Sequence, residues 1–115
     1  MAETFVAKKG DTGVAITAVL KDKSGPVNLT GWSVRFVMTL RNETTPKVDA
    51  TASIHSDQIG HKGEVSYSWG ATDVDTAGIY NCEFIGTTPG GKQISFPRQL
   101  SPEQFGIVVI EESLA

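Results

Sequence analysis

Cysteine is all but missing from this sequence: Cys82 stands alone, so no disulfide can close within the chain. That usage fits a protein made in a reducing cytosol, not a secreted fold that depends on staples. Clustered positive charge is missing too. The formal net charge is −3, and the 10 lysines and arginines are scattered without forming a run. Nucleic-acid binding by counterion release needs a basic face, so nucleic acid is not an expected partner. No apolar run approaches the roughly 20 residues that cross a bilayer as a helix, and a membrane is not expected as a partner either. The opening residues Met1-Ala2-Glu3-Thr4 lack the basic start and apolar stretch of a signal peptide, so synthesis in the cytoplasm is expected. Helical periodicity is also nearly absent, which leaves strands as the main building element.

What the sequence does have suits that element. Its 12 glycines and 5 prolines, with many threonines, fit short strands joined by tight turns. A length of 115 residues is enough for one domain around one core, and the whole chain 1–115 is read as such, with the core over about 12–111. Period-two alternation locates the strands. Val14, Ile16, Ala18 and Leu20 share one face of the first, and Val27–Gly31 reads as a short edge segment. Trp32, Val34, Phe36, Met38 and Leu40 share a face of the clearest half-buried strand. Val48, Ala50, Ala52 and Ile54 alternate next, then Val65, Tyr67 and Trp69, then Tyr80, Cys82 and Phe84. Residues 70–78 have room for one helical turn. Thr87-Thr88-Pro89-Gly90-Gly91 predicts a hairpin leading into Gln93–Phe96. Gly106–Ile110 is apolar on both faces, as expected of a strand inside a sheet or under a partner chain. About seven or eight strands at this spacing define an all-β antiparallel sandwich. Ala2–Lys9 and Glu111–Ala115 carry no strong core pattern and are candidate docking arms.

The chemistry-bearing residues form no reactive constellation. His55, Asp57 and His61 share a loop, but their spacing matches no regular metal site. Asp73 and Asp75 read as turn formers, far short of the oxygen cage calcium needs. Gly86–Gly91 is rich in glycine, yet no helix follows to complete a phosphate loop. No nucleophile elbow occurs, and alternation turns Cys82 inward, where apolar surroundings suppress its thiolate. No catalytic, metal or cofactor-binding residue is therefore assigned, and the chain is read as a non-enzyme. Trp32, Phe36, Trp69, Tyr80, Cys82 and Phe84 are assigned to the core and its corner, with Trp32 a candidate core tryptophan.

One local pattern narrows the fold. Tyr80 precedes Cys82 by two residues and follows the Asp/Gly-rich corner Asp75-Thr76-Ala77-Gly78. Immunoglobulin-like sandwiches place a tyrosine at this point, its hydroxyl bonded back to the corner's backbone. The segment Val27-Asn28-Leu29-Thr30-Gly31-Trp32-Ser33-Val34-Arg35-Phe36 resembles the opening of phage baseplate upper protein N-terminal domains. Lys47-Val48-Asp49-Ala50, Gly63–Trp69, Asp75–Tyr80, Glu83-Phe84, Gly91-Lys92 and Ser95-Phe96-Pro97 are similar to later blocks of that family, in order. The resemblance implies an immunoglobulin-like β-sandwich in a bacteriophage virion, acting as a tail, baseplate or neck component. Its implied partners are other phage structural proteins in a symmetric, multi-copy or homo-oligomeric assembly. Alternatives of the same origin are a capsid decoration protein and a host-surface or carbohydrate-binding adhesion module.

Overall fold

Strand breaks, more than strand identities, set the observed architecture. The computed structural model describes residues 4–10, 13, 15–22, 24–70, 72–96 and 106–111. Along the chain these form β1 (Thr4–Lys8), β2 (Ile16–Val19), β3 (Lys21–Asp22), β4 (Gly25–Pro26), β5 (Ser33–Leu40), β6 (Val48–Thr51), β7 (Ser53–Ile54), β8 (Glu64–Tyr67), β9 (Gly78–Thr87), β10 (Gln93–Phe96) and β11 (Gly106–Glu111). No helix occurs among the described residues, and 72–76 form a turn and bend where the sequence left room for a helical turn.

The main sheet runs β1-β11-β9-β5-β6, with β10 also paired to β9. Here β9 is the spine. From Tyr80 to Thr87 it pairs with β5, while its other edge is shared by β11 along Gly78–Cys82 and β10 along Phe84–Thr87. The smaller sheet runs β2-β8-β7, and β3 pairs with β4 as a short ribbon. The segment Val48–Ile54, expected as one alternating strand, changes sheets at Ala52: β6 pairs with β5 and β7 with β8. A similar break at Leu20 separates β2 from β3. Such interruptions turn the expected seven or eight strands into shorter, more numerous pieces without disturbing the inward pattern.

Two expectations are corrected. Ala2–Lys9 is not a docking arm over its described part, because Thr4–Lys8 pairs in parallel with β11 and Ala7 is buried in the core. That pairing encloses β11 between β1 and β9, inside the sheet, with Val108 and Ile110 buried in the core and Val109 half-buried on the opposite face. Val27–Gly31, expected as a short edge segment, pairs in no sheet; it is a loop anchored by the buried Leu29. The C-terminal arm expected at Glu111–Ala115 lies, beyond Glu111, outside the described residues.

The two sheets meet through aromatic side chains, giving a β-sandwich arrangement. Phe36 of β5 stacks on Tyr67 of β8 with centroids 5.0 Å apart, and meets Trp69 edge-on at 5.9 Å and Phe84 at 5.1 Å. These are the offset and edge geometries that ring quadrupoles favour. Val34, Met38, Val65, Val74, Val108 and Ile110 close the core around them. Trp69 is the tryptophan inside. Trp32, the expected core tryptophan, packs half-buried against the core from its margin. The indole N–H of Trp69 finds no acceptor among the described residues, so its packing offsets a desolvation cost of about 1–3 kcal/mol.

Candidate interaction surface and the 55–64 loop

The residues assigned to core and corner fall inside the molecule. Phe36, Trp69, Tyr80, Cys82 and Phe84 are buried, and Tyr80 donates its hydroxyl to the Thr76 carbonyl at 2.7 Å. Burial also holds the Tyr80 phenol above its ordinary pKa. These residues shape the scaffold; any binding has to use other positions.

The outward face of the main sheet offers one such position. Strand alternation turns Val6, Val109 and Ile79 outward, and the ladder aligns them in a row across β1, β11 and β9. Val6 is 54% exposed and Ile79 43% exposed. The exposed ion pair of Lys8 and Glu111, at 3.2 Å, borders this row. Farther along the same face of β9, Glu83 stands beside Val37, and partial burial raises its carboxyl above the usual range. An apolar row with a poorly solvated carboxylate nearby suits a partner that covers the sheet and brings a cation or donor.

The loop from His55 to Gly63 is the second position, and one buried side chain organises it. Gln58 accepts through Oε1 from the Leu29 N–H at 3.0 Å and the Gly63 N–H at 2.9 Å, and donates through Nε2 to the His55 carbonyl at 2.8 Å. Asp57 Oδ1 accepts from the N–H groups of Ile59 and Gly60, each at 3.0 Å. Those bonds, Gly60 first and then Ile59, lower the Asp57 pKa. Gly63 follows at φ +80°, where a Cβ would meet the Leu20 carbonyl oxygen at 2.6 Å, so only glycine fits. Ile59 crowns this stapled loop, 94% exposed.

Folding regroups the loop's ionisable residues. The sequence offered His55, Asp57 and His61; the structure brings together His55, His61 and Glu64, with Asp57 committed to its own turn. The two imidazoles stack with centroids 3.9 Å apart and planes 14° from parallel. His61 Nδ1 lies 3.1 Å from Glu64 Oε1, and His55 Nε2 lies 4.0 Å from Glu64 Oε2. Glu64 went unread because it opens a strand; the signal that could have found it is its place three residues after His61, across a turn.

At the other end of β8, Tyr67 donates its hydroxyl to Asp73 Oδ2 at 2.5 Å, and the same oxygen accepts from the Gly70 N–H at 2.6 Å. Burial first, and then the bond to Asp73, push the Tyr67 phenol up to about 12. The folded chain keeps this proton where an unfolded tyrosine, near pKa ~10, has lost it. Stability from Tyr67 is therefore whole below about pH 10 and falls as pH rises towards 12. Urea midpoints of the native chain and a Tyr67→Phe variant, taken on both sides of this window, should show a smaller alkaline decline for the variant.

A scan against protein-family models returns no match, and a search of curated proteins returns none. The functional reading therefore rests on the residues and geometry of this chain.

Proposed function

We propose that this chain is an immunoglobulin-like structural component of a bacteriophage particle, placed in the tail, baseplate or neck and acting by protein–protein assembly. Strand order supports the finer fold reading. In sheet order β2, β8 and β7 correspond to the B–E–D strands of such a sandwich. Likewise β6, β5, β9 and the β10/β11 edge correspond to C′–C–F–G. The Tyr80–Thr76 bond supplies the matching corner. The phage assignment draws on the ordered blocks from Val27 to Pro97 that resemble baseplate upper protein N-terminal domains.

The observation that carries the assembly reading is the outward row Val6–Val109–Ile79. It is apolar, it lies on a rigid sheet, and burying it would strengthen a contact in proportion to area. Multi-copy symmetry makes a modest patch sufficient, because contacts act together. The role is one of binding, with no reaction assigned. The exposed loop tip, Ile59, is aliphatic, which suits a protein surface better than the aromatic platforms that sugars stack on.

Mass spectrometry of purified particles of the encoding phage tests this reading, with copy number measured against the major capsid protein. Copies in the tens or fewer are expected and place the chain in tail, baseplate or neck. Copies in the hundreds would replace that location with capsid decoration or the tail tube. Absence from the particle would overturn the virion reading altogether. A Val6→Lys, Ile79→Lys double variant should fold and yet be excluded from particles; normal incorporation would remove the outward row as the contact.

A further inference from the structure

We propose that His55, His61 and Glu64 form a binding site for a divalent transition ion of the zinc class. This inference is independent of the assembly reading. One potential ligand atom from each of the three side chains lies within 4.8 Å of the others, and all three are partly exposed, leaving room for water to complete the coordination. Imidazole and carboxylate together suit zinc, cobalt and nickel better than calcium or magnesium, which prefer an all-oxygen shell.

The loop holds these groups in place before any ion arrives. Gln58 ties the His55 carbonyl to the buried N–H groups of Leu29 and Gly63. Backbone bonds from His55 N–H to the Glu64 carbonyl, and from Glu64 N–H to the His61 carbonyl, hold all three residues around one turn. Such preorganisation lowers the ordering cost of binding. The chemistry of capture is specific. The ion takes the position between His61 Nδ1 and Glu64 Oε1, now 3.1 Å apart, and the imidazole proton resides on Nε2. At His55 the ion takes Nε2. The ring proton then resides on Nδ1, which gives up its bond from the exposed Asp57 N–H to water. Because lone pairs lie in the ring planes and the stacked planes are 14° from parallel, one ring turns about its Cβ–Cγ bond as the ion enters. That movement makes the unstacking of His55 from His61 a signature of the site.

The test uses the whole chain with zinc alone, followed by histidine side-chain NMR, and cobalt absorption as a second readout. Saturable shifts of both imidazoles at micromolar zinc, with a visible cobalt spectrum, are expected. His61→Ala and Glu64→Gln should each weaken zinc binding roughly tenfold or more. Amide spectra of both variants report whether the fold is kept. Imidazole signals of the native chain that stay unmoved at millimolar zinc overturn the proposal without relying on any variant. Binding of undiminished strength in both folded variants overturns it too, by locating the ion elsewhere.

Discussion

Replacing Phe36 by alanine is expected to remove about 3–5 kcal/mol of folding stability. The ring is 0% exposed and joins the sheets, touching Tyr67 and Trp69 on one side and Phe84 on its own. Truncation loses the transfer free energy of the ring and leaves a cavity between β-sheets whose ladders resist collapse. It also removes aromatic pairs worth about 0.5–1.5 kcal/mol each beyond their area. Domains of this size hold roughly 5–15 kcal/mol in total, so the variant should sit close to its unfolding transition at room temperature. Urea denaturation followed by tryptophan fluorescence checks this, with an unchanged slope showing that the unfolded state is the same. Ile59→Ala, at a position 94% exposed, serves as the contrast and should stay within about 0.5 kcal/mol of the native chain. A loss below about 1 kcal/mol for Phe36→Ala would mean that the sheets do not depend on this ring.

The inward pattern around Phe36 was legible because it is local. Val34, Phe36 and Met38 alternate with exposed or half-buried neighbours, and every one of them is buried. The hairpin at Thr87–Gly91 was legible for the same reason: its turn residues dictate its closure, and Gly91 N–H and Thr88 N–H complete it. Pairings between distant segments leave no comparable trace. Thr4–Lys8 is short and ends in lysine, and only its parallel partner Ile107–Glu111, at the far end of the chain, makes it a strand. The sheet change at Ala52 is equally silent, since small residues alternate evenly through it. What distinguishes Ala52 is its N–H, which bonds to the Val34 carbonyl across the junction.

The candidate surfaces were legible only in part. Alternation turns Ile79 outward, but its alignment with Val6 and Val109 depends on register across strands from both ends of the chain. His55 and His61 were visible as a loop pair, whereas their stacking depends on a buried glutamine that reads, in sequence, as one more polar loop residue. Glutamine at such a position is uncommon in a core, and burial is worthwhile there only because every one of its bonds is met.

That dependence makes Gln58→Ala the second large effect. Alanine strands the Leu29 and Gly63 N–H groups, which lose their shared acceptor in a buried setting, and frees the His55 carbonyl. An unmet buried donor costs about 1–3 kcal/mol, so the two together should lower stability by roughly 2 kcal/mol or more. The loss is local in origin. Native-state hydrogen exchange should show the amides of Leu29 and Gly63 losing protection, while those of β5 and β9 keep their rank within a less stable fold. Uniform loss across both sheets would instead mean that the loop folds as part of the core and not as a stapled addition to it. The histidine rings provide an independent reading of the same event. With His55 no longer tied through Gln58, the His55–His61 stack should loosen, and zinc capture at Glu64 should weaken even though none of the three ligands has changed.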